Sequence, residues 1–201
     1  MHDPLRMFIL NNNWNGILIE PQREMLKKCI KNYNKKENLS FICTALHPTK
    51  TVVNLYKVRA PKHYSHTGWA SVKLDRFKET VYKNNLKIEK VNAMHLMGVI
   101  KKNKLKSVDL LQIDTEGFDW EIIKMYDFHF YKPLLIQYEH CHLSIHDYVK
   151  SINLLKNNNY ICFPQKNDTI ALRKNLINPL FLTIYFFVRL SMILKSRLTE
   201  K

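Results

Sequence analysis

Glycine is scarce in this sequence. Only four of the 201 residues are glycine, and no G-x-G occurs. The absence of a G-x-G-x-x-G loop argues against a dinucleotide-binding oxidoreductase. The cysteines form no C-x-x-C pair and no zinc-finger spacing; they are Cys29, Cys43, Cys141 and Cys162. We therefore expect free, mostly buried thiols and a reducing, cytoplasmic location. No charged N-terminal segment precedes a long apolar stretch, so no signal peptide is predicted.

Acidic residues are also few. The chain has 17 Asp and Glu against 32 Lys and Arg, which gives a formal net charge of +15. Such an excess can indicate nucleic acid, an anionic membrane surface or an acidic ligand, but the excess is mostly Lys, which AT-rich coding favours whatever the function. No RNA-binding aromatic motif, helix-turn-helix signature or zinc module accompanies it, so no specific nucleic-acid partner is predicted. The alternative to an enzyme is a non-catalytic basic protein that binds an anionic membrane surface or nucleic acid.

Short apolar runs alternate with helical patterns along the chain. This order predicts an α/β fold whose sheet is at least partly parallel. The expected strands are residues 16–20, 40–46, 51–58, 86–91, 107–114 and 133–139, with 160–163 and 168–172 as a closing hairpin. The expected helices begin at Asp3-Pro4 and at Pro21 and cover 94–102, 118–126 and 144–156.

Three acidic residues directly follow expected strands, namely Glu20, Asp114 and Glu139. In an open parallel sheet the ligand crevice lies beyond the carboxyl ends of the strands. A carboxylate there commonly binds both ribose hydroxyls of a nucleotide cofactor, because it offers two acceptors side by side. Glu20 fits this role. The alternative is that Glu20 only caps the helix opened by Pro21.

The segment Asp114-Thr115-Glu116-Gly117 places two carboxylates two residues apart, followed by a glycine. This pattern is typical of a tight functional turn between a strand and a helix. The alternative is that Asp114 or Thr115 caps the following helix.

A third polar cluster contains Glu139, His140 and His142. These side chains could ligate a metal. Two histidines at a spacing of two, without a further ligand motif, are a weak signal, so no metal site is predicted.

Several of these segments together resemble the FkbM-type methyltransferases. The resemblance is carried by residues 14–21 (WNGILIEP), 108–119 (VDLLQIDTEGFD), 138–140 (YEH) and 167–171 (NDTIA). It implies an S-adenosylmethionine-dependent enzyme on a Rossmann-like sheet with helices on both faces, which O-methylates a sugar or a similar small molecule. On this basis we expect a methyltransferase domain over 1–174 and an apolar, basic helix over 175–201.

The resemblance also assigns roles near the cofactor. It implies that Glu20, followed by Pro21, holds the cofactor ribose, and that Thr44 and Ala45 lie near the adenine. It places Asp114 close to the methionine part or the substrate. Glu116 and the pair Glu139-His140 match polar residues of the same rim.

One family motif is missing from the sequence. The family's glycine-rich loop should lie directly upstream of His2, and the strand before it should be central in the sheet, between the strands that end in Glu20 and Asp114. The expected causes are a start codon placed too late, a fragment or a decayed gene, which leaves open whether the 201-residue chain is active as written. The absence also predicts two inner strands that each lack a partner.

The resemblance implies a methyl transfer, and this chemistry suggests catalytic residues. Displacement at a sulfonium needs the acceptor oxygen in line with the methyl–sulfur bond, and a sugar hydroxyl reacts better beside a base. Asp114 is the first candidate for the base and His140 the second. A divalent ion held by Asp114, Glu116 and Glu139 is another way to lower the hydroxyl pKa.

Residues 59–71 form a long loop that contains Tyr64, His66 and Trp69. This composition suits a lid over the methyl acceptor. A disordered surface loop is an equal alternative.

The C-terminal segment 176–194 is nearly all apolar and is followed by basic residues. A membrane-spanning helix needs ~20 apolar residues, and Pro179 and Arg189 interrupt this one. Three alternatives exist: residues 176–198 lie on an anionic membrane surface, pack on the domain or a second subunit, or span the bilayer. The first two are favoured, which makes the protein cytoplasmic or peripheral to a membrane.

Overall fold

The computed structural model describes residues 5–34 and 36–178. The chain divides into two compact units. The first unit contains the chain up to Leu105 together with Asp114–Asp127, and the second contains Lys106–Ile113 and the chain from Phe128 onward.

The first unit contains four helices and six strands within the described residues. In chain order they are α1 (Arg6–Asn11), β1 (Gly16–Ile19), α2 (Arg23–Asn32), β2 (Leu39–Ile42), β3 (Ala45–Leu46), β4 (Val52–Val58), β5 (Ala70–Ser71), β6 (Leu86–Met94), α3 (Leu96–Lys102) and α4 (Asp119–Met125). Two short 3₁₀ helices, Tyr64–Gly68 and Leu74–Phe77, flank β5. The start expected at Asp3-Pro4 lies outside the described residues.

The second unit contains one helix and four strands in its described part. They are β7 (Leu110–Ile113), β8 (Leu135–Glu139), α5 (Ile145–Asn157), β9 (Tyr160–Pro164) and β10 (Asp168–Arg173). A single turn of 3₁₀ helix follows at Lys174–Leu176.

The sheets of the first unit mix parallel and antiparallel pairings. β1 pairs with β2 in parallel, and a four-stranded sheet has the order β3-β6-β4-β5. The single strand expected over 40–46 was wrong, because the chain leaves β2 at Cys43 and enters β3 at Ala45, which lies in a different sheet. The buried Thr44 fixes this break, since its hydroxyl donates to the carbonyl of Asn92 at 3.1 Å.

The sheet of the second unit has the order β7-β8-β10-β9. β7 and β8 are parallel, and β10 is antiparallel to both of its neighbours. The closing hairpin is therefore confirmed. With parallel pairs also in the first unit, the structure is mixed α/β and consistent with the Rossmann-like methyltransferase fold.

β1 and β7 are both edge strands. Among the described residues β1 pairs only with β2, and β7 pairs only with β8. Each strand therefore has one side without a ladder partner among these residues.

Helix α2 buries Met25, Leu26 and Cys29. This apolar face confirms the predicted amphipathic helix, although the helix begins at Arg23 and not at Pro21. The shift has a local cause, because Gln22 is the N-cap residue and still has extended backbone angles.

The four cysteines are free, as predicted, but most of them are not buried. Cys29 is buried, Cys162 is half-buried, and Cys43 and Cys141 are exposed. Cys43 directly follows β2 and Cys141 lies two residues after β8, so both exposed cysteines lie where the chain leaves a sheet.

Helix α5 has a side-chain cap. The hydroxyl of Ser144 accepts the backbone N–H of Asp147 at 3.1 Å. We expect Ser144→Ala to lower the free energy of unfolding by about 1 kcal/mol, because that N–H loses its intramolecular partner. Urea unfolding checks this, with the exposed Ser107→Ala as control. Equal stability of Ser144→Ala and wild type would contradict the role of the cap.

Residues 179–201 lie outside the described residues, and the three alternatives for the C-terminal segment fall mostly there. Among the residues that the structure does describe, no helix combines the length and apolar character that crossing a bilayer requires.

Candidate functional site

Glu20 lies directly after β1, in the first unit. Its Oε1 accepts the backbone N–H of Gln22 at 2.7 Å. Burial raises the pKa of Glu20, and the negative charge of Asp114 raises it further, against hydrogen bonds from Gln22 and the positive charge of Lys57. The structure therefore brings two of the three predicted strand-end carboxylates within electrostatic range of each other.

The cap alternative for Glu20 holds only in part. The carboxylate bonds the backbone of the N-cap residue Gln22 and does not act as the N-cap of α2. The amide of Gln22, which is buried, reaches the carbonyl of Gly68 at 3.3 Å. Glu20 thus stabilises the turn that contains Pro21, at the carboxyl end of β1.

The raised pKa of Glu20 gives a testable sign. The folded-state pKa of Glu20 lies above the ordinary value of 4.5. The contribution of Glu20 to stability is therefore greatest below pH 4.5 and is lost as the pH rises through the folded-state pKa. We expect Glu20→Gln, which keeps an acceptor for Gln22, to raise the free energy of unfolding slightly at neutral pH. Chemical unfolding at pH 7 and at acidic pH checks this; a neutral-pH loss of stability would contradict it.

Thr44 lies between β2 and β3 in the first unit, and Ala45 is the first residue of β3. Both are buried, at 2% and 4% exposure. The hydroxyl of Thr44 is engaged with backbone carbonyls, and Ala45 pairs with Ala93 in the ladder. Their observed contacts are structural, and their place beside an adenine stays a prediction.

Asp114 opens the turn between β7 and α4 and is exposed. Glu116 and Gly117 both have positive φ, 53° and 95°, so the chain reverses sharply there, where a glycine is favoured. The N-cap residue of α4 is Phe118. Neither Asp114 nor Thr115 therefore holds the capping position proposed as the alternative to a functional turn.

Glu116 is held by Arg76. One carboxylate oxygen of Glu116 accepts from Nε and Nη2 of Arg76 at 2.9 and 2.7 Å, and Ser71 donates its hydroxyl to the Glu116 carbonyl at 2.8 Å. The guanidinium also stacks over the ring of Trp69, 4.9 Å from its centroid. These contacts give Glu116 a structural role, which fixes the shape of the turn that carries Asp114.

Sequence reasoning assigned no role to Asp119, which is fully buried. Its Oδ2 accepts the hydroxyl of Thr115 at 2.8 Å, and it lies in the first turn of α4. Helix N-termini favour a carboxylate. An acidic residue two positions after the glycine of the turn is the signal that could have identified Asp119.

The loop over 59–71 contains ordered structure. His66 stacks on Trp69 with 4.0 Å between ring centroids, and its Nδ1 lies 2.9 Å from the hydroxyl of Tyr82. Tyr82 is buried. The disordered alternative is therefore wrong for this part of the loop, and a role as an acceptor lid stays a prediction.

His140 lies just after β8, in the second unit. Its Nδ1 is 3.0 Å from the hydroxyl oxygen of Thr169, and its ring stacks on Tyr148 at 4.7 Å. Burial lowers the pKa of His140, against the charge of Asp168 and a hydrogen bond to its backbone. A lowered pKa keeps the imidazole neutral at neutral pH, when it is able to accept a proton.

The contacts of His140 continue into a buried chain of hydroxyl groups. Ser151 donates to the carbonyl of Tyr148 at 2.7 Å and lies 2.7 Å from the hydroxyl of Tyr138. Burial raises the pKa of Tyr138 to about 12, against hydrogen bonds with Ser151 and Thr169. Thr169 thus links Tyr138 to Nδ1 of His140, and the neutral imidazole keeps one ring nitrogen without a proton.

A group of possible metal ligands follows β8. Nε2 of His142 is 3.7 Å from Oε2 of Glu139. Glu139, Cys141 and His142 each offer one ligand atom, and these three atoms lie within 4.8 Å of one another. The sequence considered His140 as the third ligand; in the structure Cys141 takes that place.

Comparison with known proteins agrees with this architecture. The mixed α/β structure, with carboxylates after parallel strands, is consistent with the fold of the Rossmann-like methyltransferases. A family model described as the methyltransferase FkbM domain matches residues 1–162, so the chain belongs to the FkbM methyltransferase family. Searches of curated proteins and of solved structures found no significant match.

Proposed function

We propose that this protein transfers a methyl group from S-adenosylmethionine to a hydroxyl of a sugar or a similar small molecule. Family membership supports a methyltransferase in general. The observation that carries the finer proposal is that Glu20 and Asp114 lie in the same unit, near enough for the charge of Asp114 to contribute to the raised pKa of Glu20. Each of these acids follows a strand that lies in a parallel pair, which is where α/β sheets bind nucleotides.

Glu20 is proposed to bind the two ribose hydroxyls of the cofactor. A carboxylate accepts two hydrogen bonds side by side, and each bond to a charged group contributes about 1.5–3 kcal/mol. The bond from Gln22 to Oε1 already orients this side chain. Pro21, Thr44 and Ala45 complete the proposed cofactor contacts.

His140 and Asp114 are the proposed catalytic residues. A carboxylate has an ordinary pKa of about 4 and is a weak base at neutral pH. A neutral imidazole, which has one unprotonated ring nitrogen, is better matched to a hydroxyl proton. We therefore propose His140 as the base, with Asp114 as the alternative candidate, while Glu116 supports the turn.

The proposal extends to location and partners. Free thiols at all four cysteines suit a reducing compartment, so we propose a cytoplasmic enzyme. Contact of residues 176–198 with an anionic membrane surface is part of the same proposal. A non-catalytic basic protein is the competing function.

Calorimetric titration of the full chain with S-adenosylmethionine, and separately with NAD, tests the proposal. We expect binding of the first only, and a loss of about 100-fold in affinity for Glu20→Ala, from two charge-assisted bonds. Glu79→Ala, which removes the same charge from an exposed position, should bind like wild type. A folded chain that ignores S-adenosylmethionine but binds polyanions with steep salt dependence would instead support the non-catalytic alternative.

A further inference from the structure

The three-ligand group after β8 rests on a well-fixed backbone. Glu139 pairs with Asp168 in the ladder. The N–H groups of His140 and Cys141 both donate to the carbonyl of Asn167, at 2.9 and 3.1 Å. The chain then turns, with the N–H of Leu143 on the carbonyl of His140 at 3.0 Å. Main-chain bonds therefore fix the backbone from Glu139 to Cys141 and close a turn from His140 to Leu143.

The spacing of the ligand atoms suits a small divalent ion. Tetrahedral zinc with ligands at about 2.0–2.3 Å holds its donor atoms about 3.3–3.6 Å apart. The 3.7 Å between Glu139 and His142 is close to this value, and the whole group lies within 4.8 Å.

The donor set also selects the kind of ion. Thiolate sulfur and imidazole nitrogen are poor ligands for Mg²⁺ or Ca²⁺, which prefer oxygen. Carboxylate, imidazole and thiolate are the three usual protein ligands of zinc. The side chains of Glu139 and His142 are 16% and 25% exposed, so an ion can reach them from solvent and keep one position for water or another ligand.

We propose that Glu139, Cys141 and His142 form a binding site for Zn²⁺ or a similar borderline-soft divalent ion. The site uses none of the proposed cofactor contacts, and its ligands Glu139 and Cys141 flank the proposed base His140, whose Nδ1 contacts Thr169. In the structure itself, Nε2 of His142 contacts Oε2 of Glu139 at 3.7 Å.

Cobalt is the probe, because Co²⁺ occupies zinc sites and reports on sulfur ligation. The full chain, treated with a chelator and kept under a non-thiol reductant without oxygen, is titrated with Co²⁺. We expect saturation at one equivalent, with a near-ultraviolet thiolate-to-cobalt charge-transfer band that Zn²⁺ removes. Cys141→Ser should abolish the band, and His142→Gln or Glu139→Gln should weaken binding by about tenfold or more.

The matched control is Cys43→Ser, because Cys43 is also an exposed, free cysteine at a strand end. Its band and affinity should equal those of wild type, and circular dichroism confirms that each variant is folded. A band that survives in Cys141→Ser, a band lost with Cys43→Ser, or no stoichiometric binding by the folded wild type would overturn the proposal. None of these readouts depends on methyl transfer, so the two proposals can fail separately.

Discussion

Arg76→Ala is expected to lower the free energy of unfolding by about 3 kcal/mol, the usual result of removing one partner from a buried ion pair. The side chains of Arg76 and Glu116 are only 8% and 18% exposed. Loss of the guanidinium leaves the Glu116 carboxylate without its cation, at a residue with positive φ. It also removes the stacking over Trp69.

A double-mutant cycle measures this interaction in urea. Arg76→Ala and Glu116→Gln should each be destabilising, and the double variant should lose less than their sum, because the second change removes a group already left without its partner. Lys78→Ala is the control, since its pair with Asp75 is 67% and 75% exposed and should contribute less than about 1 kcal/mol. Additive losses would show that the pair does not act as a unit.

Local sequence patterns were sufficient for most of the fold. The run Gly16–Ile19 predicted β1 and placed Glu20 at its end, since short apolar runs bounded by breakers favour buried strands. The pattern failed at Cys43 and Thr44, where an apolar run continues through a break. That break depends on a hydrogen bond from Thr44 to Asn92, which is distant in sequence and leaves no periodic signal.

The candidate site shows the same division. Strand ends identified Glu20 and Asp114, and in the structure the charge of Asp114 contributes to the raised pKa of Glu20. The sequence did not reveal that Glu116 pairs with Arg76, 40 residues away. It also did not reveal the contacts of His140, because Thr169 lies on a strand that pairs with β8 only in the folded sheet. Long-range contacts of this kind determine which polar residues are structural.

Loss of the neutral imidazole of His140 is expected to have a large effect on catalysis. We expect His140→Gln to lower kcat about 100-fold, at the low end for loss of a general base, with little change in affinity for S-adenosylmethionine. Since burial lowers the pKa of His140, the acid limb of the kcat profile should lie below the ordinary histidine value of 6.5. Activity then falls as the pH drops through that lowered pKa, and the limb should be lost in His140→Gln.

Thr169→Val tests the contact that orients His140. The substitution is close to isosteric at a fully buried position and removes the hydroxyl that contacts Nδ1, so the imidazole loses a group that orients it. We expect a smaller loss in kcat, about tenfold, an unchanged KM and a shifted acid limb. Asp114→Asn is the comparison: a loss there with the acid limb intact supports a role in orientation. If Asp114→Asn abolishes the acid limb of the kcat profile and His140→Gln retains it, Asp114 is the base and His140 is not.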